Sequence, residues 1–353
     1  MVFKQVQYPQ CQDIISISGN PGEIKKISCP QCHTTGKVTF KQKNHSKNNA
    51  ITVSNLRKEY GDIIAVNNIS FSVNKGEVFA FLGPNGAGKT TTVEMIESIR
   101  KPTKGTIRIF GNDIATSFHH VKNKIGILPQ EFHSFERLTI RETLQYFASI
   151  FDHQANIDDI IKAMNLKEDE HKLYKELSGG LKQRVGVAIS LVNDPEIIFL
   201  DEPTTGLDPK ARREVWEVIA NLREKGKTVF LTTHYMEEAE YLADHIAIIH
   251  KGQIIAEGTL HELINRYGKG SILKITNADF YQIKQALQAA NYQVKRANKH
   301  SALVTIKYKD QILEVLSILK KNAIDYEQID IHRPNLEELF LQLTGARLRE
   351  GST

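Results

Sequence analysis

Gly83-Pro84-Asn85-Gly86-Ala87-Gly88-Lys89-Thr90 stands between the apolar run Val78-Phe79-Ala80-Phe81-Leu82 and the segment Thr91-Thr92-Val93-Glu94-Met95-Ile96. The order is strand, glycine-rich loop, helix, the context that a phosphate-binding P-loop requires. Glycines let backbone N–H groups close around β- and γ-phosphates, and the helix N-terminus adds a favourable potential. Lys89 supplies a point charge for the terminal phosphates, and the Thr90 hydroxyl is placed to ligate Mg²⁺. A second run fits the first. Ile197-Ile198-Phe199-Leu200 reads as a buried parallel strand ending in Asp201-Glu202. An aspartate at a strand end beside a P-loop can hold Mg²⁺, and the glutamate after it can polarise an attacking water.

Around these motifs the chain is that of an ordinary globular protein. Its 353 residues carry 46 Lys+Arg against 41 Asp+Glu, a formal net charge of +5, and allow two or three domains. That charge is too weak to argue for nucleic acid, so no nucleic-acid partner is expected. No apolar run approaches the roughly 20 residues that cross a bilayer, and the N-terminus lacks the basic-then-apolar order of a signal peptide. The chain is therefore expected in the cytosol, with any membrane role supplied through a partner. Three cysteines cannot close a disulfide framework, which suits a reducing compartment and leaves metal binding as the alternative.

Composition divides the chain into three. Residues 1–45 hold all the cysteines and lead into a polar linker. Tyr8-Pro9-Gln10-Cys11 and Cys29-Pro30-Gln31-Cys32 are near copies that resemble the two knuckles of a zinc ribbon. Tyr8 stands where the first ligand belongs, so Cys11, Cys29 and Cys32 are one ligand short of a Zn²⁺ site, and a decayed ribbon is expected. Residues 50–268 alternate apolar strands with amphipathic helices, the mark of an α/β fold with a parallel sheet. Its expected strands are Val78–Leu82, Ile125–Leu128, Ile197–Leu200, Thr228–Thr232 and His245–Ile249. Residues 269–347 read as a small α+β domain in the βαββαβ order of a ferredoxin-like fold. A closing helix follows Pro334, with Asn335 and Glu338 spaced as a capping box.

The remaining motifs carry a family resemblance. Leu177-Ser178-Gly179-Gly180-Leu181-Lys182-Gln183-Arg184 precedes the acidic strand, and Gly206-Leu207-Asp208 and His234 follow it. With the P-loop, Gln130 and Asp201-Glu202, they resemble in order and spacing the nucleotide-binding subunits of ATP-binding cassette (ABC) transporters. The resemblance covers about Ile51 to Tyr267. It implies a P-loop ATPase core with a helical subdomain, beginning near Leu138-Thr139-Ile140-Arg141-Glu142-Thr143-Leu144, and hydrolysis of ATP with Mg²⁺. On the matching positions, Gly83 through Thr91 would hold the phosphates and Tyr60 would stack on adenine. Thr90, Gln130 and Asp201 would attend Mg²⁺, Glu202 would be the base, and His234 would contact the γ-phosphate. Ser178, Gly179 and Gly180 would face the γ-phosphate held by a second subunit, with Asp208 at the seam. Leu181 departs from the glutamine common in the family, beyond the phosphate-facing residues.

Pro334-Asn335-Leu336-Glu337-Glu338-Leu339-Phe340-Leu341-Gln342-Leu343-Thr344-Gly345 resembles the tail of an ABC branch that pairs with separately encoded permeases and exports drugs, antibiotics or lipid-like molecules. The resemblance thus implies a homo- or heterodimer at the inner face of a membrane, driving a permease for export. The rival class is a soluble ABC ATPase acting on nucleic acid or the ribosome. Such proteins usually carry two cassettes or a coiled-coil insertion, and this sequence shows neither. The face formed by Leu336, Leu339, Phe340 and Leu343 must be buried somewhere. Docking across the dimer is the expectation.

Overall fold

Short polar-apolar alternations at the N-terminus form two antiparallel hairpins, β1 (Val2–Gln7) with β2 (Ile14–Gly19) and β3 (Ile24–Ser28) with β4 (Thr35–Thr39). They belong to a unit spanning Met1–Asn49, and the rest of the chain from Ala50 is a second unit. This computed structural model describes residues 2–7, 14–19, 24–28, 32, 35–39, 48–268, 270–298, 301–306, 310–332 and 334–345. Cys11 and Cys29 lie outside them, as does Tyr8. Among the described residues no group of three or more His, Cys, Asp or Glu is placed to hold a metal ion.

The second unit opens with long strands β5 (Asn49–Tyr60) and β6 (Ile63–Asn74), turned at Gly61-Asp62. Strand β7 (Val78–Leu82) then runs into the P-loop and helix α1 (Lys89–Ile96). The next strands, β8 (Lys104–Ile109) and β9 (Asn112–Asp113), return to β5 and complete a sheet ordered β6-β5-β8-β9. After α2 (Ile114–Ser117) and β10 (Ile125–Leu128) come the helices α3 (Ile140–Ala148), α4 (Ile157–Ala163) and α5 (Gly179–Ile189). Then β11 (Ile197–Asp201), α6 (Pro209–Glu224), β12 (Thr228–Thr233) and α7 (Met236–Leu242) alternate. The strands β13 (His245–His250) and β14 (Gln253–Gly258) and helix α8 (Leu260–Tyr267) finish this part.

The main sheet has the order β10-β11-β12-β7-β13-β14, parallel except for β14. Its strands carry near-continuous apolar runs because both faces are covered. Along β7, Val78, Ala80 and Leu82 join the core under the helices, while Phe79 and Phe81 join the core under the antiparallel sheet. There Phe79 stacks on Phe71 and on Phe230, centroids 5.4 Å apart in both pairs. In and just after α3, Leu144, Phe147, Ala148 and Phe151 recur at helical spacing; Leu144 and Ala148 are buried and Phe147 and Phe151 pack beside them, which makes this stripe core.

The chain continues through β15 (Ser271–Thr276), α9 (Phe280–Gln288), β16 (Gln293–Asn298), β17 (Ser301–Ile306), α10 (Asp310–Lys321) and β18 (Gln328–His332). These strands form an antiparallel sheet ordered β16-β17-β15-β18, with a core of its own around Leu273, Ile275, Ile283 and Val304. The closing helix α11 (Leu336–Thr344) does not pack there. Leu336, Leu339 and Phe340 join the core beneath the main sheet's helices, against α7 and α8, so the apolar face is covered within this chain rather than across a dimer. Glu240 of α7 accepts the Leu336 N–H at 2.6 Å, and His250 meets the Phe340 ring edge-on. The capping box is also only half made. Asn335 accepts from the Glu338 N–H, but the Glu338 carboxylate pairs with His332 at 2.9 Å instead of turning back.

Phe340 is 1% exposed. Phe340→Ala should therefore cost about 3–5 kcal/mol through lost transfer energy and a cavity. Equilibrium denaturation will read that loss in the main transition, because the ring belongs to the large core. A change confined to the small antiparallel module would contradict this packing.

Candidate active site

Parallel pairing sets the ends of three strands level. Asp201 is in register with Thr232, and Thr233 with Leu82. The P-loop after β7, the acid pair at the end of β11 and His234 after β12 therefore leave the sheet at one edge. Ligands in open α/β sheets bind at this carboxyl edge.

Within the loop, Gly88 has φ 102° and an added Cβ would lie 2.5 Å from the Ala65 carbonyl oxygen, so only glycine fits. Because Gly88 is also the N-cap of α1, it offers no side-chain acceptor. The first-turn N–H groups are left for an anion. Lys89 Nζ reaches the carbonyls of Gly83 (2.9 Å) and Pro84 (3.2 Å) and Glu202 Oε1 at 3.0 Å. Asn85, Gly86, Gly88, Lys89, Thr90, Thr91, Gln130 and Glu202, with Ala65, line one cavity of about 360 Å³.

Glu202 adopts φ 50°, a left-handed conformation that costs a non-glycine residue of order 1–3 kcal/mol. Its N–H is held by the Thr232 backbone oxygen at 3.2 Å and by the Thr232 hydroxyl at 3.0 Å. The carboxylate lies 3.1 Å from His234 Nδ1 and accepts from the Thr205 hydroxyl at 3.0 Å. Burial by itself would raise its pKa. The His234 contact and the Lys89 ammonium outweigh burial and hold it at about 2. Asp201 goes the other way. Burial raises it, only partly offset by hydrogen bonds from the Thr232 and Thr90 hydroxyls, while the nearby Glu202 charge raises it further.

Thr90 and Asp201 thus meet, and Gln130 opens on the same cavity. Hydroxyl, carboxylate and amide oxygens are the hard donors Mg²⁺ takes, so the residues present fit that ion. Other expected site residues stand apart from this cavity. Ser178 and Gly179 are exposed at the start of α5, where Ser178 caps the helix by accepting from the Leu181 N–H. Gly180 is buried, and a Cβ there would come 2.8 Å from that of Ala211, so this glycine also lets α5 approach α6. Asp208 caps α6, accepting from the N–H groups of Lys210 and Ala211 at 2.9 Å each. Tyr60 is 40% exposed, with Lys58 Nζ 5.1 Å and the Arg100 guanidinium 5.4 Å from its ring centre.

Sequence reasoning missed two buried acids. Glu97, at the C-cap of α1, has its carboxyl pushed up to about 8 by burial, then by Asp201 and Glu94. Glu238, in α7, has no exposed surface. The available signal was an acid at a position where helical spacing asks for an apolar residue.

A sheet, loop and acid pair so arranged define a P-loop ATPase. The chain matches the ABC transporter family model over residues 66–205. It is 37% identical over 306 residues to the Nod factor export ATP-binding protein I of Burkholderia orbicola, covering 85% of this chain and 98% of the relative. It is 36% identical over 305 residues to the daunorubicin resistance ATP-binding protein DrrA3 of Streptomyces coeruleorubidus, covering 84% and 96%. A bacterial ABC transporter cassette solved as a dimer superposes with a TM-score of 0.53 at 28% identity, covering 60% of this chain and 98% of that one. This chain belongs to the ABC transporter ATP-binding family, whose cassettes bind and hydrolyse ATP with Mg²⁺.

Glu97 gives a pH-dependence with a definite sign. Its carboxyl titrates near the ordinary 4.5 in the unfolded chain and near 8 when folded, so between those values the folded state holds an extra proton. Stability then falls as pH rises across that window. In nucleotide- and magnesium-free protein, Glu97→Gln should add roughly 3–5 kcal/mol at pH 8 and almost nothing at pH 4.5. Urea melts of both proteins at the two pH values check it.

Proposed function

We propose that this chain is the ATP-hydrolysing subunit that drives a separately encoded membrane permease outward, working as a dimer at the inner face of the membrane. The observation that carries the reading is the match to a Nod factor export protein over 98% of that protein's length, well beyond the cassette itself. Among the described residues no helix is long and apolar enough to cross a membrane, consistent with a permease supplied by another chain. We read residues 269–347 as a ferredoxin-like accessory module, supported by the strand order β16-β17-β15-β18. The N-terminal hairpins support a decayed ribbon. After dialysis against a mild chelator, metal analysis should find less than one zinc per chain, and Tyr8→Cys should raise it toward one.

The site residues take these roles. Backbone N–H groups from Gly86 to Thr91 cradle the phosphates, and Lys89 turns from Glu202 to the terminal phosphate. Freed of the Lys89 ammonium, Glu202 becomes the stronger base and accepts a proton from the attacking water. His234 orients Glu202 and the γ-phosphate, and Tyr60 stacks on adenine. Thr90, Asp201 and Gln130 would hold Mg²⁺, which would supply charge neutralisation at the phosphate oxygens. Exposed Ser178 and Gly179 face the γ-phosphate of the partner subunit, with Asp208 at the seam. Two nucleotides then lie between two chains, and hydrolysis releases the contacts that hold them closed.

Glu202→Gln should lower kcat by roughly 10²–10⁴ while ATP still binds, and should accumulate as an ATP-bound dimer on size exclusion. Lys89→Ala should instead weaken ATP binding in a direct titration, having lost phosphate contacts of about 1.5–3 kcal/mol each. Wild-type turnover by the first variant, or unchanged affinity in the second, would remove these assignments. For direction, the chain can be reconstituted with the permease that co-purifies with it. ATP-driven movement of substrate toward the nucleotide side would rule out export.

A further inference from the structure

We infer that Glu238 is a positioning residue for ATP hydrolysis, a single buried acceptor that holds the segment after Glu202 in register with His234. Its Oε1 accepts from the Thr204 hydroxyl at 2.8 Å and from Trp216 Nε1 at 2.9 Å, while its buried Oε2 has no hydrogen-bond partner among the described residues. These donors come from two places that matter. Thr204 lies between Glu202 and Asp208, and Trp216 sits on α6, the helix that Asp208 caps. Glu238 itself rides on α7, which begins two residues beyond His234.

A carboxyl with no exposed surface is an expensive way to fill space, since burying a polar group costs unless it is hydrogen-bonded. A leucine would serve a merely structural role with less penalty. The acid is instead spent on joining two loops that carry chemistry, and it does so through one oxygen. Burial raises its pKa, with its hydrogen-bond donors and the Arg212 charge opposing. A glutamine keeps the carboxyl's shape and its accepting oxygen. Beside this network the Arg212 guanidinium stacks on Tyr235, 4.0 Å from the ring centre, and adds to the contact between α6 and the segment after β12. Losing the shared acceptor would let Glu202 and His234 drift relative to each other by fractions of an ångström, enough to slow a positioned reaction while leaving the phosphate cradle intact.

This inference rests on the assignment of Glu202 and His234 above, so the experiment includes a variant that tests that assignment separately. Steady-state ATPase kinetics and ATP-binding stoichiometry are measured for wild type, Glu238→Gln, Glu238→Leu, Thr204→Val and Glu202→Gln. Glu238→Leu should lose roughly 10- to 100-fold in kcat with KM for ATP and stoichiometry unchanged. Glu238→Gln should recover most of the rate, and Thr204→Val, a nearly isosteric change, should lose severalfold in kcat alone. Wild-type kcat in both Glu238→Leu and Thr204→Val would overturn the inference. So would a loss in Glu238→Leu that merely follows its loss of binding stoichiometry, together with an unaffected Thr204→Val. If Glu202→Gln retained full turnover, the site assignment itself would fail, whatever the Glu238 variants did.

Discussion

Everything chemical in this protein depends on the parallel register of three strands. β11, β12 and β7 are paired so that Asp201, Thr232, Thr233 and Leu82 stand level at the carboxyl edge. A parallel pair cannot be closed by a tight turn, so each strand needs its own crossover, and each crossover begins at that edge. The P-loop, the acid pair and the histidine are therefore the first residues of three separate crossovers, not neighbours in sequence. A slip of one residue would turn Phe79 and Phe81 from the aromatic face to the helical one. The stack of Phe71, Phe79 and Phe230 fixes the register against that slip.

The same edge explains how opposite pressures on two adjacent carboxyls coexist. Asp201 is still in the strand, where desolvation dominates and Thr232 can offset only part of it. One residue later the backbone swings into the left-handed region, and Glu202 comes out beside Lys89 and His234. The backbone turn at Glu202 thus separates a carboxyl whose pKa burial raises from one whose pKa its neighbours lower. Its cost is offset by two hydrogen bonds to one residue, Thr232.

Much of this could be read in advance because it is local. The five parallel strands came from unbroken apolar runs, and the structure gives the same segments within a residue. The P-loop came from glycines whose necessity is steric, as Gly88 against Ala65 shows. What escaped was tertiary. β5, β6 and β8 have mixed patterns, because one face meets the phenylalanines and the other meets water. Glu97 and Glu238 look like surface acids in a helix until the packing around them is known. The covering of α11 could not be foreseen either. Its apolar stripe called for a partner, but nothing in the stripe distinguished another chain from α7 and α8 of its own.

The placement of α11 has a consequence for how the protein is made. The large core takes part of its filling, Leu336, Leu339 and Phe340, from a helix that is translated only after the whole small antiparallel module. At about 5–20 residues per second, a ribosome needs several seconds to pass from α8 to α11. For that interval the groove between α7 and α8 stays open on the nascent chain. Because β18 pairs with β15, forming the module's sheet brings its end back beside its beginning, and so carries α11 toward α8.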